Sequence, residues 1–364
     1  MLTNNKKWWK PFAGPLAAIV LGLVIGAVLM IITGTNPIIG YAALLRGSFG
    51  SGINFSETLI YVNPLIFTGL SIAVAYNAGL FNIGAEGQII VGMLASAFFG
   101  YKFADLPRVL HIPLTLFAGM GAGALWASVP GYLKAKFGVH EVVNSIMMNY
   151  VALHLSHYLV TGPLQDPNTT LPYSPDIAPS ARLWRFMSRF GEQYRVNTGI
   201  LIAIVAAVFT YWLLYKTTTG FEIRAVGFNP DASKYAGMNT SSAMAKAMLI
   251  SGALSGLAGA VQVMGIQFKF LDLFGFEGFG FDGIAVALVA KNNPIGILAS
   301  AFLFGTLQRG SQTMQALAGV PKETIGIVQA AIIFIVAAEG MWQGWLPGLD
   351  KIKALVTGEK EADV

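Results

Sequence analysis

The chain has 364 residues, of which 55% are hydrophobic and 11% charged, against roughly 25% charged in an ordinary soluble domain. Its net charge is +5, but Lys and Arg are scattered between apolar blocks and form no stripe, which argues against a nucleic-acid surface. Cysteine is absent, which excludes disulfides, thiolate metal sites and cysteine nucleophiles together.

So few charges point to a membrane protein, and the apolar residues fall in blocks suited to one. About 20 residues at ~1.5 Å each cross ~30 Å of hydrocarbon. The first block follows the basic start MLTNNKKWWK and runs from Phe12 to Ile32. It is too long for the apolar region of a secretory signal, and no clear small-residue cleavage site follows, so it reads as an uncleaved span over 12–33.

Further spans are expected over 57–79, 86–101, 111–133, 141–162, 198–215, 241–262, 280–292, 294–310 and 324–340. This gives an all-α membrane protein of about ten transmembrane helices, forming a single transmembrane domain over 1–364. Gly22-x-x-x-Gly26, Gly119-x-x-x-Gly123 and Gly252-x-x-x-Gly256 allow close helix approach in a bundle or a dimer.

Two boundaries are broken in the same way. NAGLFNIGAE at 77–86 and GFEGFGFDG at 275–283 interrupt apolar sequence without lengthening into loops. Broken backbone is tolerated at membrane depth only where it faces protein or a wet cavity, and paired breaks point to a transport path. Each break places an acidic-Gly pair, Glu86-Gly87 and Asp282-Gly283, before a short apolar helix, so the halves read as an inverted repeat.

Between the spans lie two longer connections. Residues 163–197, an external loop, are rich in Pro and then in aromatic and basic residues, and suit an interfacial helix, a docking surface or a solvated loop. Residues 216–240 form a cytoplasmic loop when both termini are placed inside, as a thin excess of Lys and Arg favours. In that loop Asn229 suits an N-cap, Pro230 a first turn, Asp231 the positive helix end and Gly237 a left-handed C′ position. These predict a two-turn helix over 230–236, too short to stand without docking against other helices or a cytoplasmic partner.

This loop resembles the coupling segment of permeases in ABC importers. Three more strings resemble the nucleoside and simple-sugar branch of that family: NAGLFNIGAEGQIIVGMLA, VHEVVNSIMMNYVALHLSHYLVTGPLQD and GFDGIAVALVAKNNPIGILASAFLFG. The first two are most similar to nucleoside permeases. Asp231-Ala232-Ser233 replaces a pair of alanines common in that family, and Ala290-Lys291 stands where a glycine is usual.

The resemblance assigns coupling to Gly220, Glu222, Arg224, Ala225, Gly227, Asn229, Pro230, Ala236 and Gly237, with Glu222 and Arg224 meeting the ATPase surface. It implies a separate ABC ATPase subunit that carries ATP and Mg, since this chain has no G-x-x-x-x-G-K-[ST] string and needs no cofactor of its own. It also implies a second, non-identical permease subunit, an extracytoplasmic solute-binding lipoprotein and a multi-pass location in the cell membrane.

For the solute path, polar residues within apolar spans are the candidates: Asn77, Asn82, Glu86, Gln88, Asn149 and Asp282. Equally, Asn82 and Glu86 suit capping of the helix near Gly87, and Asp282 capping of its counterpart. Asn149, His154 and His157 share one side of their span and suit a lumen or interhelical hydrogen bonds. Gly278-Phe279-Gly280-Phe281-Asp282-Gly283 matches G-x-G-x-x-G but follows no strand, so it is no dinucleotide site.

Nucleoside import worked by an ATPase is the expected function, with simple-sugar import as the alternative. An ion-coupled secondary transporter would need a relay, for which only Glu57, Glu86, Asp282 and Glu339 lie near spans. A membrane-bound enzyme or scaffold has no motif to support it.

Overall fold

The computed structural model describes residues 10–321 and 323–337, with side chains from Ala17 to Val336 except Lys322. Glu339 and the end of the tenth apolar block lie outside the described residues. Among these residues there are thirteen α-helices and no strand. An isolated bridge pairs Tyr173 with Leu271.

Each of the ten apolar blocks is helical over most of its described residues. In order they are α1 (Lys10–Ile32), α3 (Gly52–Asn77), α4 (Ala85–Lys102), α5 (Arg108–Phe137), α6 (Glu141–Val160), α7 (Gly199–Lys216), α10 (Thr240–Gln262), α11 (Phe279–Val289), α12 (Pro294–Ala318) and α13 (Glu323–Ala337). Among the described residues four helices are long and apolar enough to cross a membrane: α3, α5, α7 and α10 with its π-helical continuation to Gln267. Shorter apolar stretches lie at Ala17–Ile32, Phe279–Val289 and Glu323–Val336.

Three helices lie outside those blocks. α2 (Pro37–Phe49) follows α1 after a four-residue turn, while α8 (Thr218–Phe228) and α9 (Pro230–Tyr235) occupy the 216–240 connection. α2 starts on a cap the sequence displays: Pro37 is the first helical residue, and the Asn36 side chain accepts from Ile38 N at 2.9 Å. The same Asn-Pro device opens α12, where Asn293 accepts from Ile295 N at 2.9 Å.

α3 is the central element, buried along nearly its whole length and packed by α7, α10, α11 and α12. Beside it α4, α5 and α10 meet on a seam of glycines. A Cβ on Gly123 would lie 2.6 Å from Gly256 Cα, and one on Gly92 2.7 Å from the same atom. Two of the small-residue patterns thus join α5 to α10 within the chain. Gly22 and Gly26 pack α1 on α13 through Ile332 and Val328.

The 163–197 connection is neither a long helix nor a free loop. Its backbone is tied to the segment after α10 by Ile177 N to Phe268 O at 2.7 Å and Leu183 N to Met264 O at 3.0 Å, and to α4 by Ala178 N to Gly100 O at 2.9 Å. Arg195 closes it onto α3 by donating to Glu57 from Nε at 2.9 Å. That hydrogen bond raises the guanidinium above its ordinary value, against the cost of burial.

Candidate translocation and coupling site

The two breaks meet. α4 begins at Ala85 and α11 at Phe279, and the Glu86 carboxylate accepts Gly280 N at 2.8 Å and Phe281 N at 3.4 Å. Glu86 therefore serves the start of α11, not of its own helix. α4 has no side-chain cap; Asn82 Oδ1 instead accepts Gly84 N at 3.0 Å. Asp282 caps nothing: its carboxylate takes the Gln308 amide of α12. Each acidic-Gly pair thus ties one broken half to another helix.

Around Glu86 the first break is fastened by amides. Asn82 and Gln88 exchange hydrogen bonds at 2.9 and 3.0 Å, and Asn82 also donates to Ser251 at 2.8 Å. Ser251 in turn lies 2.8 Å from Ser71 on α3. From α6, Asn149 accepts Gly87 N at 2.8 Å and donates to Ile83 O at 2.9 Å. Asn82, Glu86, Gln88 and Asn149 are all buried, and their interactions supply the polar partners that broken backbone and amides require in an apolar interior. Asn77 stands apart, half-buried and donating to Ala73 O at 2.8 Å. His157 also goes elsewhere, to Asp272 at 2.9 Å.

The 216–240 connection forms two helices of different character. α8 starts where Thr217 accepts Gly220 N at 3.1 Å, and it folds back on α7. Arg224 donates to Leu214 O at 3.0 Å and sits over the Tyr215 ring at 4.9 Å. Glu222 pairs with Lys246 of α10 at 3.5 Å. Both charges have partners inside the chain. Gly220 packs so tightly on Leu213 and Leu214 that a Cβ would strike their backbone.

α9 is short and capped at both ends. Asn229, whose N donates to Ala225 O at 3.1 Å, accepts Ala232 N on its side chain at 2.9 Å, ahead of Pro230. At the other end Ala236 precedes Gly237 at φ +82°; Gly237 N reaches Lys234 O and Met238 N reaches Ser233 O, both at 3.0 Å, a Schellman motif. Among the described residues its surroundings are open: Phe228, at the end of α8, is 88% and Tyr235 96% exposed.

One contact links this module to the break. Gly227 lies against the α3 end, where a Cβ would run into the Asn77 carbonyl and approach Gly79 N at 2.9 Å. Gly79 itself has φ +72° and lies against Gly227. A backbone-to-backbone joint therefore runs from α8 to residues 77–79, nine residues or fewer from Asn82 and Glu86 along the chain.

Beyond α11, Lys291 and Asn292 hold φ of +51° and +56°. Lys291 stands where the resemblance led one to expect glycine, and a left-handed backbone is the physical reason a glycine would suit the position.

A helical bundle with broken helices meeting at its centre, and an exposed capped helix jointed to the break, is the architecture expected of a membrane transport subunit. The chain belongs to the family described as the branched-chain amino acid transport system / permease component, whose model matches residues 54–337. It is 44% identical to the guanosine ABC transporter permease protein NupP of Bacillus subtilis, over 89% of this chain and 92% of that one. To the nucleoside ABC transporter permease protein NupB of Lactococcus lactis it is 41% identical over 99% of both. The glucose ABC transporter permease protein TsgB13 of Haloferax volcanii is 32% identical over 91% of this chain and 88% of its own. No solved structure matches.

Proposed function

We propose that this chain is one of two non-identical permease subunits of an ATP-driven importer that carries nucleosides across the cell membrane. The cargo follows from its likeness to NupP and NupB, at higher identity and on more of the second chain than to the glucose permease. The observation that carries the mechanism is the α8–α9 module: α9 is capped at both ends, Phe228 at the end of α8 and Tyr235 of α9 are exposed, and Gly227 of α8 joins the module to the break at 77–84.

In this reading α9 and the end of α8 sit in a cleft of an ABC ATPase, which binds ATP and Mg. Approach of two ATPases draws the coupling helices together, and Gly227 passes the movement to the α3–α4 break. The residues that meet the ATPase are Asn229, Pro230, Ala236 and Gly237. Gly220, Glu222, Arg224 and Ala225 hold α8 on α7 and α10 so that the movement is transmitted. Asn77, Asn82, Gln88 and Asn149 hold the break that moves, while Glu86 and Asp282 stand where the halves meet along the path. An extracytoplasmic solute-binding lipoprotein delivers the cargo to the side of 163–197. Ten helices cross the membrane, both termini lie in the cytoplasm, and the two broken halves are an inverted repeat.

The test is uptake of radiolabelled guanosine by cells that express the full importer, after the ion gradients are collapsed with cellular ATP maintained. Uptake is expected to persist and to resist a large excess of glucose. Loss of uptake on collapse would identify an ion-coupled transporter instead, and competition by glucose would favour a sugar permease.

A further inference from the structure

The first turn of α11 carries polar chemistry that its packing does not need. Gly280 and Gly283 face Glu86 and Thr68, on α4 and α3, where any Cβ would crowd those residues. At about 100° per residue, Phe281 and Asp282 then bracket the opposite side of the turn. Phe281 is 41% exposed there.

From Asp282 a row of polar groups crosses three helices. Gln308 of α12 donates to Asp282, and one turn further Gln312 donates to the Tyr61 hydroxyl of α3 at 2.7 Å. Arg309 closes the row, donating to Gln312 Oε1 at 3.1 Å. Gln308, Arg309 and Tyr61 are half-buried and Gln312 is exposed. Polar groups on the open surface of membrane helices do not face hydrocarbon; they line water, solute or a protein partner. On the other side of Asp282, Phe281 meets Phe276 edge-on at 5.9 Å, and Phe276 meets Tyr150 at 5.3 Å.

Resting on the nucleoside-importer reading, we infer that this turn of α11 and the facing stretch of α12 form the solute-contact site, taking an uncharged ribonucleoside. The Asp282 carboxylate accepts from vicinal ribose hydroxyls, while the Gln308 and Gln312 amides and the Tyr61 phenol, each able to donate and accept, complete the sugar edge. The exposed Phe281 face stacks the base, a contact open to every base because each has a π-face. One carboxylate and one guanidinium lie in the row, so it presents no net charge to hold a phosphate, and a nucleoside suits it better than a nucleotide.

Two measurements test the site on the complete importer in native membranes. First, Tyr61→Phe and Gln312→Ala, at positions where little packing is lost, should each lower the rate of tritiated guanosine uptake at sub-saturating concentration by roughly five-fold or more, as loss of one hydrogen bond allows. The amount of chain in the membrane should stay at the wild-type level. Second, 8-azidoguanosine, which carries its reactive group on the base, should photolabel peptides containing Phe276–Phe281 or Tyr150, and guanosine should block the label better than 2′,3′-dideoxyguanosine. Wild-type uptake by both variants, or labelling confined to other segments, would overturn the site while leaving the importer reading intact. A wild-type complex that takes up no nucleoside at all would overturn the importer reading, and the site with it.

Discussion

Glu86 and Gly280 lie 194 residues apart in sequence, and the carboxylate of one accepts the backbone N–H of the other at 2.8 Å. The bond spans the two breaks and fixes where α4 and α11 start relative to each other. Both helices present N-terminal N–H groups there, which an acidic side chain complements.

Replacing Glu86 by Ala should therefore loosen the bundle at its centre. It leaves the N–H groups of Gly280 and Phe281 without an acceptor in a buried place, at a cost of about 1–3 kcal/mol. The detergent-solubilised complex should unfold at a lower temperature, and Glu86→Gln, which keeps an acceptor oxygen, should fall between. An unchanged unfolding temperature for Glu86→Ala would mean that the carboxylate clamps nothing.

A second prediction concerns the joint at Gly227. A Cβ there would strike the Asn77 carbonyl, and both sides of the contact are backbone, so neither can swing away. Gly227→Val should separate α8 from the break. Measured in proteoliposomes, ATP hydrolysis by the partner subunit should continue while guanosine uptake is lost. Uptake at the wild-type rate would show that movement reaches the break by another route.

The glycine seam gives a third. Gly256 faces Gly119 and Gly123 through backbone atoms, whereas Gly22 faces the Ile332 side chain first, at Cγ1, with Val328 O at 3.2 Å. Gly256→Leu must push α5 and α10 apart, an overpacking cost of about 1–3 kcal/mol or more. Gly22→Ala displaces mainly a side chain of α13 rather than backbone, a smaller cost. Size-exclusion profiles should show a strong loss of folded complex for the first and little for the second; equal yields would mean that the seam is not tight.

These sites differ in how readable they are. The apolar blocks announce their helices because length and hydrophobicity are local properties, and α9 is readable because Asn229, Pro230 and Gly237 each state a backbone preference. Pro37 after Asn36 states the same preference, but at 13 residues α2 is too short to register as a span. α8 is hidden by Gly220 and Gly227, which look like loop residues; their purpose, close approach to Leu214 and Asn77, exists only in three dimensions. The same holds for Glu86. Its burial in apolar sequence marks it as functional, yet the cap it provides belongs to a helix nearly 200 residues away. Gln308 and Gln312 pass unnoticed because they lie at or past the end of the 294–310 block, and only the fold sets Asp282 and Tyr61 beside them.

The last prediction isolates α9. Gly237 holds φ +82°, and its N–H donates to Lys234 O at 3.0 Å. Proline at this position removes the donor and forces φ near −65°, so both arms of the C-cap fail together. A six-residue helix has little propensity to survive that loss, since it depends on its caps and on whatever docks against it. Among the described residues no atom lies within 4 Å of where a Gly237 Cβ would stand, so the membrane helices should assemble as before. Gly237→Pro is therefore expected to reach the membrane in normal amount and to abolish uptake, with co-purification of the ATPase subunit reduced. Gly237→Asn, which tolerates the left-handed region, should keep much of the uptake. If the proline variant transports normally, α9 is not the element through which the ATPase acts.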